Sequence, residues 1–385
     1  MAFENGIRRL FVLLAVVLVC LQRYFKFVVD DPAFSERTIN YAIFFIMLLT
    51  FNYQKANSKL ILLFILLPIG FFIRRYLPIW ILLTIIYQII NLRIPVKTLA
   101  YVAFITISCE LCIQYYLVTN NIITDVVKQT IKASGRMHTW GMGNGNNLSA
   151  FFMQVFMLLY LIMKKRWFVY ILLTIVCGYG IYMYTCSRTP YFTIIILCIL
   201  VLCYHLGLFF KFTKYIIGAL PVILFGITVY LSLFDATSNT AELDTVSSGR
   251  LTIAAYFFSH MTPLAILIGM DRPENMALDS AYIDMFMQGG VIYLSLFFIV
   301  YWTAVIRNFE SIKQYLPLLI SIAISGLAES TFSTLNAISI IMWVVLIKNL
   351  RLTRHGNVKI SNIYNNENTF GNLKRDSCRW RNSLL

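Results

Sequence analysis

One arginine stands between two long apolar runs, in the sequence TCSRTPYF of residues 185–192. Thr189 and Pro190 suit the cap and the first turn of a helix, so Arg188 is predicted to lie beside free backbone N–H groups at a helix N-terminus. A guanidinium group and the positive end of a helix dipole together favour an anion. The sequence therefore predicts an anion site at Arg188, with an arginine anchored at the membrane interface as the alternative.

A second arginine precedes a run of glycine and asparagine in SGRMHTWGMGNGNNLSAFF, residues 134–152. Glycine leaves the backbone open, so the segment from Arg136 through Asn144 to Asn147 can offer N–H groups to phosphate or to sugar hydroxyls. The alternative is a flexible loop that ends in a helix cap at Asn147 or Ser149.

A third arginine lies in SSGRLTIAAYFFSH, residues 247–260. Turn residues before an apolar-rich stretch predict a helix that begins near Arg250 and lies on or in the membrane. Asp279 and His260 are further residues of this external segment whose side chains could take part in chemistry. The alternatives are a helix cap for Asp279 and an interfacial loop histidine for His260.

The composition indicates the setting of these residues. Of the 385 residues, 59% are hydrophobic and only 13% are charged, and the mean hydropathy of +0.75 lies outside the range of soluble proteins. Apolar stretches close to the roughly 20 residues that cross a membrane as a helix recur along the chain. The prediction is an all-α, polytopic membrane helix bundle with about twelve transmembrane helices, at residues 9–22, 38–53, 59–73, 76–92, 97–118, 148–163, 167–185, 189–209, 213–234, 281–306, 314–328 and 334–349.

Basic residues orient the predicted bundle. With a cytoplasmic N-terminus, 21 of the 32 lysines and arginines fall in cytoplasmic segments, as the positive-inside rule favours. Both termini are then cytoplasmic, residues 1–349 form the membrane domain, and the long loops 119–147 and 235–280 are external. The polar tail 350–385 is predicted to be a disordered cytoplasmic end. The net charge of +15 follows from this topology, so no nucleic-acid partner is needed to explain it.

The cysteines indicate no metal or redox site. Cys109 and Cys112 form a C-x-x-C pattern inside an apolar run, with no second pair and no histidine nearby, which argues against zinc. The sequence has neither a P-loop nor a Rossmann fingerprint. We therefore expect no metal and no cofactor.

These features together resemble a known family. Four motifs carry the resemblance: SRTP at the start of a helix, SGR in the largest external loop, G-x-G-N-x-N before an earlier span and LDSAYIDMFMQGGVIYL at a later one. The chain resembles the O-antigen polymerase and ligase superfamily, and most of all its Wzy-type polysaccharide polymerases. The resemblance covers residues 134–300. It implies a fold similar to that of lipid-dependent, multi-spanning glycosyltransferases. It also makes Tyr282, in the later motif, a candidate substrate contact.

The resemblance implies an enzyme that polymerises oligosaccharide repeat units carried on undecaprenyl pyrophosphate, at the bacterial cytoplasmic membrane. The expected partners are that lipid-linked glycan, membrane lipid, and a flippase and a chain-length regulator of the same pathway. Negative charge grows on the departing pyrophosphate, and Arg188 and Arg250 are predicted to stabilise it. The attacking acceptor hydroxyl needs a base, for which Asp279 is the first candidate and His260 the second.

Two alternatives stay open. Ligases of this superfamily carry a functional histidine where this chain reads DSAY at residues 279–282, which favours a polymerase over a ligase or another lipid-linked glycosyltransferase. A flippase or transporter would instead use ionisable groups near the membrane midplane, where Glu110 lies deep in an apolar run.

Overall fold

The computed structural model describes residues 2–28, 32–50, 77–125, 128–129, 136–142, 145–235, 250–270, 280–329, 333 and 335–352. These residues are predominantly helical. A helix satisfies its own backbone N–H and C=O groups, and a chain this apolar has no other way to do so in lipid short of a closed barrel.

The helices follow the apolar segments along the chain. They are α1 (Ala2–Val28), α2 (Pro32–Leu49), α3 (Leu77–Asn91), α4 (Val96–Thr119), α5 (Gly145–Met163), α6 (Trp167–Thr185), α7 (Arg188–His205), α8 (Thr213–Asp235), α9 (Arg250–Ser259), α10 (Pro263–Ile268), α11 (Ala281–Arg307), α12 (Phe309–Ile312), α13 (Leu316–Ser325) and α14 (Ala337–Leu352). Two short strands, β1 (Lys128–Gln129) and β2 (Arg136–Met137), pair antiparallel in the loop between α4 and α5.

Within the described residues, five helical segments are long and apolar enough to cross a membrane: Val96–Thr119, Gly145–Thr185, Arg188–His205, Thr213–Leu233 and Ala281–Arg307. The chain is therefore a helical membrane protein. Helices coincide with eleven of the twelve predicted apolar segments, and the segment 59–73 lies outside the described residues. The number of twelve spans stays a prediction, because several of these helices are shorter than a membrane crossing requires.

The longest of the five segments consists of two 19-residue helices, α5 and α6, joined by a single 3₁₀ turn, Lys164–Arg166. The Tyr170 hydroxyl donates to the carbonyl of Phe156 at 3.2 Å, and the rings of Tyr160 and Tyr170 lie 5.7 Å apart. Residues on either side of the turn thus face each other, so α5 and α6 form an antiparallel hairpin.

Basic residues collect at one end of the bundle. Arg9 donates from Nε to the carbonyl of Leu92, just before α4. At the end of α5, the Tyr160 hydroxyl donates to the carbonyl of Gln314, and Lys164 Nζ lies 3.3 Å from Gln314 Oε1. Because α4 and α5 pack together and the loop between them closes on the last turns of α4, the start of α4 and the end of α5 lie at the same end.

Described parts of the predicted external segments lie at the other end. Gln114 donates from its amide to the carbonyl of Trp140 in the loop between α4 and α5. Helix α13 starts beside Gln314 and ends beside the start of α11, where the Ser280 hydroxyl donates to the carbonyl of Gly326 at 3.2 Å. The basic residues named above and the predicted external segments thus lie at opposite ends of the bundle, as the distribution of lysines and arginines along the sequence predicts. That the basic end faces the cytoplasm stays a prediction.

Helix α11 is kinked, and part of the long loop before it packs against the kink. Gly290 has φ 62° and ψ −162°, a conformation outside the helical region. The N–H of Met270 donates to the carbonyl of Met287 at 2.7 Å, and a Cβ atom on Gly290 would overlap the carbonyl of Leu267. A side chain at 290 is therefore excluded both by the backbone conformation and by the close approach of α10.

Candidate functional site

The loop between α4 and α5 packs onto the last turn of α6. The N–H of His138 donates to the carbonyl of Tyr184 at 3.2 Å, and the two rings stack with their centroids 4.0 Å apart. Trp140 donates from Nε1 to the Tyr184 hydroxyl at 3.0 Å. We call Asp125, His138, Trp140 and Tyr184 the His138 cluster. Its rings hold the loop against the end of α6.

Asp125 ties the same loop together from the other side. Its Oδ2 lies 2.7 Å from His138 Nδ1, and its Oδ1 accepts from the backbone N–H groups of Thr139 and Trp140, both at 2.9 Å. Partial burial by itself would raise the pKa of Asp125, but these hydrogen bonds outweigh burial and hold the pKa below the usual value of an aspartate. Asp125 is therefore ionised at neutral pH.

This pairing decides which nitrogen of His138 is available for chemistry. An ionised carboxylate can only accept hydrogen bonds, so the Nδ1 of His138 carries the proton that points to Asp125. The neutral imidazole then has its lone pair on Nε2. The His138 side chain is 28% exposed and that of Asp125 is 17% exposed. The cluster thus presents a base oriented by an acid within reach of solvent, the arrangement that activates a nucleophile in many enzymes.

Arg188 is the first residue of α7 and is exposed. The helix N-cap is Ser187, so the predicted cap at Thr189 is wrong by two residues. The Ser187 hydroxyl donates to Asn146 Oδ1 at 2.8 Å, a contact that joins this turn to the first turn of α5. Arg188 therefore stands at the start of an 18-residue helix, four residues after the ring that stacks on His138.

The glycine and asparagine run begins α5 earlier than predicted. The helix starts at Gly145, so a cap at Asn147 or Ser149 is wrong. A Cβ atom on Gly145 would lie 2.8 Å from the carbonyl oxygen of Thr185, so only glycine allows α5 to come this close to the end of α6. Asn147 lies in the first turn and donates to the carbonyl of Met142 at 3.0 Å. Two of the predicted external motifs, at the starts of α5 and α7, are thus in contact.

Four of the other predicted site residues are described only in part or not at all. The backbone of Arg136 belongs to β2, where it pairs with Gln129, and Arg250 is the first residue of α9, as predicted. The side chains of both arginines lie outside the described part of the chain, as do the whole of Asn144 and Asp279. Helix α11 begins at Ala281, which makes Ser280 its N-cap, so the interpretation of Asp279 as that cap is wrong.

His260 and Tyr282 make different kinds of contact. His260 is exposed just after α9, and its Nδ1 lies 2.8 Å from the carbonyl of Tyr256 and 3.0 Å from the Ser259 hydroxyl. Tyr282 is fully buried, and its hydroxyl donates to the carbonyl of Ala323 at 2.8 Å. His260 is thus reachable from solvent, whereas the Tyr282 hydroxyl lies inside the helix packing.

The sequence interpretation did not include Asp125, His138 or Tyr184. Asp125 and His138 are 13 residues apart, and Tyr184 is 46 residues beyond His138, so no local spacing rule connects them. The available signal was a histidine two residues after Arg136, inside a loop that was already a candidate.

A different polar residue lies in the interior of the membrane segment. Glu110, in the middle of α4, is 2% exposed. Among the residues that the structure describes, neither of its carboxyl oxygens has a hydrogen-bond partner. An acid in such surroundings is costly when ionised, so it is a functional candidate in its own right.

Metal ligands do not cluster in the described residues, where no group of three or more His, Cys, Asp or Glu side chains could hold an ion. Cys109 and Cys112 are both exposed on α4.

No protein-family model, no curated protein and no solved structure matches this chain. Its function has to be inferred from these residues and their geometry.

Proposed function

We propose that this protein is a glycosyltransferase that polymerises undecaprenyl-pyrophosphate-linked oligosaccharide repeat units into a surface polysaccharide, an O-antigen or a capsule. The reaction takes place on the outer face of the bacterial cytoplasmic membrane, with both termini of the chain in the cytoplasm. One observation carries the proposal. At one end of the bundle, Arg188 at the start of α7 follows Ser187, which is hydrogen-bonded to Asn146 in the first turn of α5, and the His138 cluster includes Tyr184 in the last turn of α6.

The chemistry suits this setting. An acceptor hydroxyl attacks the anomeric carbon of the donor, the anomeric C–O bond breaks, and the lipid pyrophosphate leaves with the electron pair. The negative charge that develops on the pyrophosphate is stabilised by Arg188 and by the N–H groups at the start of α7. Arginine suits this role because it stays charged and presents a planar pair of donors to phosphate oxygens.

The remaining predicted residues complete the proposal. Arg250 is proposed to act on the same leaving group, and Arg136, Asn144 and Asn147 are proposed as contacts to pyrophosphate or sugar. Tyr282 is left out of this set, because it is fully buried and its hydroxyl donates to the carbonyl of Ala323. The sequence predicts Asp279 or His260 as the base that takes the proton of the acceptor hydroxyl.

A flippase or transporter is the second candidate, and Glu110 is the observation that favours it. Such proteins use ionisable groups within the membrane to bind and release their cargo. The two functions therefore differ in whether the essential charge lies at the end of the bundle or in its interior.

Deletion of the gene followed by gel analysis of the cell's glycans tests the proposal. We expect long chains to be lost while a single repeat unit is still transferred to the cell surface, and expression of the wild-type protein should restore the chains. Loss of the single repeat as well would support a flippase instead. Accumulation of long chains that stay on the lipid carrier would support a ligase.

The orientation is tested separately by cysteine labelling with an impermeant reagent, in a variant that lacks the native cysteines. A cysteine at position 244 should react in intact spheroplasts, and a cysteine at position 360 should react only after the membrane is opened. The reverse pattern would contradict the assignment of the site to the outer face.

A further inference from the structure

We propose that His138 is the base of this reaction and that Asp125 is its positioning residue. This inference rests on the proposed function and assigns a step of it to a residue that the sequence did not indicate. The oxygen of the acceptor hydroxyl forms the bond to the anomeric carbon while the bond from that carbon to the phosphate oxygen breaks. The pyrophosphate leaves with the electron pair, the hydroxyl proton passes to His138 Nε2, and the imidazolium later releases this proton to water.

The contact between His138 and Asp125 is the first support. Asp125 Oδ2 lies 2.7 Å from Nδ1, and the second carboxyl oxygen is held by two backbone N–H groups. The carboxylate therefore cannot rotate away from the imidazole without losing hydrogen bonds. Its charge also favours the imidazolium that forms when Nε2 accepts a proton, as the acid does in other base–acid pairs.

The position of the ring is the second support. The imidazole is stacked on Tyr184 with 12° between the ring planes, which fixes its direction as well as its place. Tyr184 lies in the last turn of α6, and only three residues separate it from Arg188, so the ring that stacks on the proposed base is close in the chain to the proposed anion site. A base and a leaving-group site must be held in one fixed relation for in-line attack.

The comparison with His260 is the third support. The Nδ1 of His260 is also engaged, but by a carbonyl of its own helix and by the neighbouring Ser259 hydroxyl. A neutral carbonyl fixes a tautomer but stabilises the imidazolium less than a carboxylate does. Among the described residues, the titratable groups seen in contact with the His138 ring are Asp125, at 2.7 Å from Nδ1, and Tyr184, whose ring stacks on the imidazole.

The test uses purified full-length protein in vesicles with lipid-linked repeat units, and it measures the rate of chain growth. His138→Ala should lower kcat by about 10²–10⁴-fold, the usual contribution of a general base, with little change in KM. Added imidazole should restore part of the rate to this variant, because a small base can occupy the space of the lost ring. A purely structural role for His138 would not give such a rescue.

His138→Asn distinguishes the loss of a base from a folding defect. The asparagine amide can still donate to Asp125 in place of Nδ1, yet it cannot accept a proton, so we expect a well-folded and slow enzyme. Asp125→Asn should lower kcat with KM nearly unchanged. His205→Asn, at the basic end of the bundle where His205 stacks on Trp167, serves as the matched control and should retain the wild-type rate.

The possible results separate this inference from the proposed function. Wild-type vesicles that make no polymer contradict the function, and the inference with it. Polymerisation by His138→Asn at the wild-type rate, or no imidazole rescue of His138→Ala, overturns the assignment of His138 alone. A slow Asp279→Asn variant beside an active His138→Asn variant would return the role of base to Asp279.

Discussion

The carboxylates of Asp125 and Glu110 show two ways in which this bundle holds an acid. Asp125, at the end of the bundle, accepts hydrogen bonds from two backbone N–H groups and pairs with a histidine. Glu110, in the middle of α4, is buried without a hydrogen-bond partner among the described residues. The first is stabilised as an anion, whereas an anion at the second position would bear the full cost of desolvation.

This difference bears directly on function. A polymerase with an external lipid substrate needs its charges at the end of the bundle, where the His138 cluster and Arg188 lie. A transporter needs an ionisable group along its central path, where Glu110 lies. Variants at the two places therefore distinguish the two functions.

Outside the His138 cluster, the largest effect is expected at Arg188. Arg188→Ala should raise the barrier to polymerisation by about 2–4 kcal/mol, roughly a 30- to 1000-fold loss of rate, because it removes a charge-assisted contact to the developing anion. Arg188→Lys should restore only part of the activity, since the planar pair of donors is lost. Chain length in cells that lack the wild-type gene is the measurement.

Arg166→Ala is the matched control for Arg188→Ala, because Arg166 is an exposed arginine in the turn at the basic end of the bundle. We expect it to make chains of normal length. Normal chains from Arg188→Ala at normal expression would remove Arg188 from the site and weaken the polymerase proposal.

A smaller effect is expected where α5 meets the end of α6. A Cβ atom at position 145 would lie 2.8 Å from the Thr185 carbonyl oxygen, so Gly145→Ala should push α5 away and destabilise the protein by about 1–3 kcal/mol. The Asn146–Ser187 contact beside Arg188 should weaken with it. Thermal unfolding in detergent measures the first effect and chain length measures the second.

Gly180→Ala on α6 provides the control, because nothing lies within 4 Å of a Cβ atom there. The substitution should leave the unfolding temperature unchanged or slightly higher, as alanine favours a helix over glycine. Equal unfolding temperatures for the two variants would argue against the close packing at Gly145.

Acidification should release the loop that carries His138. The pKa of Asp125 is lower in the folded protein than in the unfolded chain, so the folded state binds fewer protons. The stabilisation is present above the usual carboxyl pKa of about 4 and is lost as the pH falls through the lowered value. Fluorescence of Trp140, taken as the difference from a Trp140→Phe variant, reports this release.

Asp125→Asn tests the origin of that change. An asparagine has no charge to lose in this range, so the Trp140 signal should no longer depend on pH between about 2 and 5. If the transition is the same in both proteins, another carboxylate controls the loop.

The smallest effect on polymer is expected at Glu110. Glu110→Gln removes an acid from apolar surroundings without changing its shape, so a polymerase should keep its rate and its chain length. A hydrophobic carbodiimide, which reacts with protonated carboxyl groups in membranes, should label the wild-type protein on α4 and leave Glu110→Gln unlabelled there. Loss of the surface glycan in Glu110→Gln, with normal chains from Arg188→Ala, would reverse the comparison and favour the transporter.

The sequence by itself determined the class of the protein and most of its helices. Long apolar runs can satisfy their backbone in lipid only by becoming helices or closed barrels, so eleven of the predicted segments coincide with helices of the structure. The spacing of basic residues also separated the two ends of the bundle, because each short turn contributes its charges to one end or the other. The start of a helix near Arg188 followed from local turn chemistry.

Tertiary structure alone decided what these elements bring together. Asp125 meets His138, and His138 meets Tyr184, only because the loop after α4 is held against the end of the α5–α6 hairpin. The starts of α5 and α7 differ from the predicted caps for the same reason, since the contact between Asn146 and Ser187 outweighs weak local preferences. Helix periodicity in the sequence indicates which face of a helix is apolar. It carries no information on which loop residues, far apart in the chain, the packed helices will bring within 3 Å of each other.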